Sequence, residues 1–176
     1  MKQFILSLAT LLTFGAVSAS AAQNWQIGTG YSIKFTCDAS GGIFKTMKGS
    51  VAFDEQNPAT SSFNMAIDVA SINTGNAMMN KHAKGDEWFD AAKFLEIKFT
   101  SKKIVKNGAT YQVTGDLEMH GVKKEITIPF SFQTKGAGAT FSGKFSVKRS
   151  DFKIGKPGGE VGEEIKLDVT VPVVKK

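Results

Sequence analysis

The chain has 176 residues, 41% hydrophobic and 22% charged, with a formal net charge of +6. That is the length of one domain, and its single cysteine, Cys37, excludes an internal disulfide. Arg149 is the only arginine and the lysines are scattered, so the arginine forks and basic stripes of a nucleic-acid reader are missing.

Residues 1–22 have the layout of a cleaved secretory signal peptide. Lys2 supplies a positive start, Phe4 to Val17 is an apolar stretch softened by Ser and Thr, and Ala19-Ser20-Ala21 offers a small-residue site. The cut is expected after Ala21 or Ala22. No cysteine stands there, which argues against a lipoprotein. The expected location is periplasmic or secreted, with residues 23–176 as a single domain. That remainder holds no second apolar run long enough to span a bilayer.

From Tyr31 onward, apolar residues recur at every second position, the period of a strand with one dry face and one wet face. Eight strands are expected, at about 31–37, 47–54, 62–70, 96–104, 110–119, 122–133, 140–149 and 164–174. The first places Tyr31, Ile33, Phe35 and Cys37 on one face. Cys37 reads as a buried thiol, because no activating base lies near it in sequence. The dry faces continue through Val51 and Phe53, then Phe63, Met65, Ile67 and Val69. They resume at Ile97 and Phe99, and at Tyr111, Val113, Leu117 and Met119. The last strands contribute Ile126, Ile128, Phe130 and Phe132, then Phe141, Phe145 and Val147, then Ile165, Leu167, Val169, Val171 and Val173.

Turn residues separate these runs: Asn57-Pro58, Asn107-Gly108, His120-Gly121, Gly136 to Gly138 and Gly155 to Gly159. Short connections favour antiparallel neighbours. The expected fold is therefore all-β, an eight-stranded antiparallel up-and-down barrel, wide enough for about one ligand. Gly49, Gly115 and Gly143 inside strands are read as places where the wall leaves room. One connection is long. Residues 71–95 carry Met78, Met79, His82, Trp88, Phe89 and Phe94 at mixed spacing, which predicts a short helix or two and a lid over one end.

Catalytic and metal patterns are absent. His82 and His120 fit neither a nucleophile elbow nor a zinc spacing, and Asp86, Glu87 and Asp90 read as acidic residues near a helix start. Gly155-Lys156-Pro157-Gly158-Gly159 lies between strands, where a phosphate loop would open a helix. No catalytic residue, metal or cofactor is expected.

Several ordered segments resemble the YceI-like family of bacterial proteins. They are Ser71-Ile72-Asn73-Thr74-Gly75, Trp88-Phe89-Asp90-Ala91, Ile97-Lys98-Phe99-Thr100-Ser101, and the hairpin from Tyr111 to Val122. Phe145 to Phe152, followed by Val161-Gly162-Glu163-Glu164-Ile165, completes the likeness across the mature chain. The resemblance implies a lipocalin-like antiparallel barrel, periplasmic or secreted, with a polyisoprenoid or similar long-chain amphiphile in an elongated apolar pore. Two positions depart from the family pattern. Tyr31-Ser32 stands where members often carry a His-Ser pair, and Asn80-Lys81 where many carry an Arg-Asp pair.

The expected function is non-enzymatic binding, storage or transport of such a lipid. The alternative is an enzyme acting on an isoprenoid lipid or its diphosphate. The wall candidates share the inward strand face: Phe35, Phe53, Phe63, Met65, Ile67, Phe99, Leu117, Phe130, Phe141 and Phe145. Asn80, Lys81 and His82 are the head-group candidates, and Trp88 with Phe89 would anchor the lid. The expected partner is an isoprenoid or other long-chain lipid and no nucleic acid, with room for a transient membrane-surface contact and for a homodimer.

Overall fold

A computed structural model describes residues 22–38, 40–158 and 161–176. The expected signal peptide lies outside these residues except for Ala22. The alternating runs form β1 (Gln23–Ile27), β2 (Ser32–Cys37), β3 (Ser40–Phe44), β4 (Met47–Phe53), β5 (Ser62–Asp68) and β6 (Ile72–Asn73). One helix, α1 (Ala77–Lys84), precedes β7 (Glu96–Asn107), β8 (Thr110–Met119), β9 (Val122–Lys135), β10 (Gly138–Lys148) and β11 (Glu164–Lys175).

Strands β1, β4, β5, β7, β8, β9, β10 and β11 are neighbours in that order, and β1 pairs back onto β11. All these pairings are antiparallel, so the sheet closes as an eight-stranded barrel. The short strands β2, β3 and β6 extend the same wall, with β2 on β11, β3 on β2 and β6 on β3. Three barrel strands are thus interrupted: β1–β2, β3–β4 and β5–β6. A single hydroxyl ties two of the breaks together. Tyr31 donates to the carbonyl of Lys45 at 3.1 Å and accepts from the backbone N–H of Met47 at 3.0 Å.

Residues 23–27 and 40–44 fall outside the strands expected from sequence. β1 is short and polar, and β3 begins Ser40-Gly41-Gly42, so neither displays alternation. β7 also departs from a strict period. A register shift between Ser101 and Lys103 brings Ile104 opposite Val113 on the inner face, where it is 1% exposed. At the β8–β9 turn, His120 and Gly121 have φ of 50° and 72°, the pattern of a two-residue type I′ hairpin.

The wet faces carry cross-strand ion pairs such as Lys102 with Asp116 and Glu125, Lys48 with Glu96, and Lys144 with Asp168. Each is exposed and worth little alone. The dry faces meet inside as two clusters stacked along the barrel. One gathers around Phe53, with Trp25, Ile104, Tyr111, Phe130, Phe141 and Val173. The other joins Ile33, Phe44, Val69, Ile72, Ile97, Leu117, Met119 and Phe152. Ala83, Trp88, Phe89 and Ala91 of the 71–95 connection pack against the second cluster and cover that end of the barrel.

Candidate functional site: an apolar cavity between two cores

Met47, Phe99 and Val169 touch both clusters, which fail to meet fully between them. The space left is a cavity of about 170 Å³. It is walled by Ile33, Met47, Phe63, Met65, Ile67, Ile97, Phe99, Val113, Leu117, Ile128, Phe130, Phe141, Gly143, Phe145, Val169 and Val171, with Lys98 and Ser142 at its margin. Inner residues of paired strands stand side by side, as Phe99 does with Leu117 and, beyond the shift in β7, Ile104 with Val113. Among the described residues no buried side-chain nitrogen or oxygen lacks a hydrogen-bond partner. Such a wall offers dispersion and hydrophobic contact and very little polarity.

Of the ten wall candidates, Phe63, Met65, Ile67, Phe99, Leu117, Phe130, Phe141 and Phe145 line the cavity. Phe35 and Phe53 do not. Phe53, 2% exposed, is the hub of the aromatic cluster, 5.1 Å from Tyr111 and 5.3 Å from Phe141 between ring centres. Phe35 lies 5.5 Å from Phe44 in the other cluster. Their inward direction is as expected, but they sit above and below the open space. Ile33, Met47, Ile97, Val113, Ile128, Val169 and Val171 complete the wall without having been singled out in the sequence. The signal for them was the same alternation, which marks direction and not height along the axis.

The head-group candidates are elsewhere. Asn80 accepts from the backbone N–H of Thr74 at 2.7 Å and from its hydroxyl at 2.8 Å, fastening α1 to the end of β6. Lys81 and His82 are exposed on α1, and neither they, Asn80 nor Trp88 lines the cavity. Trp88 instead stacks on Arg149, whose guanidinium carbon is 5.6 Å from the ring centre. His120 bonds through Nδ1 to the carbonyl of Phe152 at 3.2 Å. Cys37 is buried, with Sγ 3.1 Å from the hydroxyl of Ser40. Among the described residues no group of three His, Cys, Asp or Glu is placed to hold a metal ion.

The interior glycines do not all leave room in the wall. A Cβ on Gly49 or Gly115 would run into the carbonyl oxygens of Asn64 and Thr100. These two allow close approach of the neighbouring strand, and they leave no room. Only Gly143 borders the cavity.

The family model for the YceI-like domain matches residues 21–173. The chain belongs to the YceI-like family. A UPF0312 protein of Photorhabdus laumondii is 37% identical over 170 residues, covering 87% of this chain and 88% of the relative. The crystal structure of Burkholderia cenocepacia BcnA superposes with a TM-score of 0.78 at 30% identity, over 81% of this chain and 95% of that one. A polyisoprenoid binding domain from Saccharophagus degradans, implicated in plant cell wall breakdown, has a TM-score of 0.67 at 15% identity, over 89% and 100%. This YceI-like chain uses both positions that depart from the family pattern for structure: Tyr31 bridges strand breaks and Asn80 holds α1.

Proposed function

We propose that this protein is a non-enzymatic carrier that takes up the hydrocarbon chain of a polyisoprenoid or similar long-chain amphiphile. The observation that carries this reading is the apolar cavity between the two clusters, walled mainly by Phe, Met, Ile and Val. Its volume of about 170 Å³ is close to that of an engineered apolar cavity of roughly 150 Å³ that stays dry and binds benzene. As it stands it receives one short stretch of chain. The flexible Met47 and Met65 are the wall residues best able to widen it.

Each buried methylene contributes about 0.8 kcal/mol, so ten of them amount to roughly 8 kcal/mol before ordering costs. Polar contacts would then orient the ligand more than hold it. The polyisoprenoid-binding neighbour of the same fold supports the choice of lipid class. Exposed Met78, Met79 and Leu95 on the covering connection, with Lys81 and Lys84 on the same helix, form the surface by which such a carrier would touch a membrane. The leader-like first 22 residues support work outside the cytoplasm.

Mass spectrometry of an organic extract of the purified protein tests the reading. A long-chain lipid near one equivalent is expected. An extract without lipid, together with no binding of added polyprenol, overturns it.

A further inference from the structure

The barrel wall is not hydrogen-bonded all the way round. β9 pairs with β8 from Tyr111↔Phe130 down to Met119↔Val122. β10 pairs with β11 from Gly138↔Val174 down to Lys148↔Glu164. Between β9 and β10 the ladder runs from Gly138↔Lys135 only to Gly143↔Phe130. The next residue of β9 is Pro129, and its carbonyl oxygen would lie 2.9 Å from a Cβ built on Gly143. Within an antiparallel strand the N–H and C=O of one residue point the same way. Pro129 therefore faces β10 with no donor, and the ladder cannot continue past it.

Below that point the strands have no paired residues, and the 3-10 turn Arg149–Phe152 closes the foot of the gap. Lys124 Nζ reaches Asp151 Oδ1 at 2.7 Å, and His120 meets the Phe152 carbonyl. The slot from Pro129 to Lys124 is about 16 Å long at the usual strand rise. The cavity reaches its lips, since Ile128, Gly143 and Phe145 line both. Lys124 stands opposite Leu117, which lines the cavity, and is itself exposed near the foot of the slot. Its ion pair is half-exposed on both sides and therefore holds weakly.

We propose that the slot between β9 and β10 is a lateral mouth of the cavity, through which a long chain passes, and that an anionic polar end comes to rest on Lys124 by displacing Asp151. Both ends of the barrel are plugged by the two clusters, and the cavity is too small for a whole lipid, so the remainder of the chain leaves through the side. This inference rests on the carrier reading above.

The test staples the slot. Thr127 and Ser146 are exposed on its outer lips. Thr127→Cys with Ser146→Cys, on a Cys37→Ala background, is bridged by a short dithiol-reactive linker. Gln133→Cys with Thr140→Cys, at positions already paired above the slot and away from the cavity, is the control. The probes are a fluorescent long-chain alcohol and the matching carboxylate, followed by stopped flow. Stapling at 127 and 146 should slow uptake and release of both probes at least about tenfold, while the control staple changes neither rate. Lys124→Ala should weaken the carboxylate by roughly tenfold and leave the alcohol unchanged. Equal rates in stapled, control and unstapled protein overturn the mouth while leaving the carrier reading intact. Equal loss of both probes in Lys124→Ala overturns the head-group site. Failure of the unstapled protein to bind either probe overturns the carrier reading, and the mouth with it.

Discussion

Arg149 is 2% exposed and carries a full charge, so its surroundings must replace the water it has lost. They do so from one loop. Nε donates to Gly162 O at 3.1 Å, Nη1 to Ile154 O at 3.0 Å and Nη2 to Val161 O at 3.0 Å, with Glu163 3.6 Å away and Trp88 against the guanidinium face. A lysine has no planar fork to serve three carbonyls. Arg149→Lys should cost about 3 kcal/mol, read as a lower midpoint in urea. An unchanged midpoint would show that the loop holds without it. Glu163 accepts from Ser150, which holds its carboxyl below the ordinary 4.5, with the Arg149 charge as a lesser cause. A group depressed in the folded state stabilises above its unfolded pKa, and that contribution fades as pH falls through the folded value. Stability should therefore decline from about pH 4.5 downward, and Glu163→Gln should flatten that limb in denaturation curves taken across it. Glu96, held low by bonding to Lys48, titrates in the same window, so some slope survives the substitution. At this scale Cys37 was readable, because burial alone explains it. Arg149 was readable only as the single arginine, because its hydrogen-bond and ion-pair partners lie 5 to 14 residues away in a loop without periodicity.

Among elements, the connection 71–95 joins helix, turns and lid. Asn76 caps α1 by accepting from Met78 and Met79, and Asn80 fastens it to Thr74. No residue of α1 is buried, so the helix itself contributes little core. The anchorage comes from Trp88 and from Phe89, whose ring meets Phe44 edge-on at 5.9 Å. A segment held by two aromatics and a few polar bonds should open more readily than paired strands. Hydrogen exchange should be faster over 74–86 than over β8, and slower there once lipid is bound. Equal protection with and without lipid would remove the lid from the mechanism. The length and aromatic content of this segment made its covering role legible. The polar triplet Asn80, Lys81 and His82 does not line the cavity, since proximity in sequence to the lid does not fix which way a helix turns its side chains.

For the whole molecule, period-two alternation made the barrel readable, because eight half-buried strands have few other ways to hide their dry faces. Closure through β1 was not readable, since Gln23 to Ile27 shows too little alternation to announce a strand. Nor was the position of the cavity, because alternation separates inside from outside and says nothing of height. That distinction decides how the binding mechanism should be tested. Val169 lies opposite Gly143 and Ile33, lines the cavity and touches both clusters. Gly143 itself is a poor probe, because any side chain there collides with Pro129. Val169→Phe adds about four carbons to the space a chain would fill and should weaken binding by roughly 2–3 kcal/mol at ~0.8 kcal/mol per methylene displaced. The folded state must be followed separately, since overpacking can cost ~1–3 kcal/mol by itself. His82 is exposed and away from the wall, so His82→Ala should change binding by less than about 0.5 kcal/mol. Titration of a fluorescent isoprenoid into both folded variants measures the contrast. If His82→Ala abolishes binding while Val169→Phe leaves it intact, affinity comes from a polar site on α1 and the apolar cavity is not where the lipid sits.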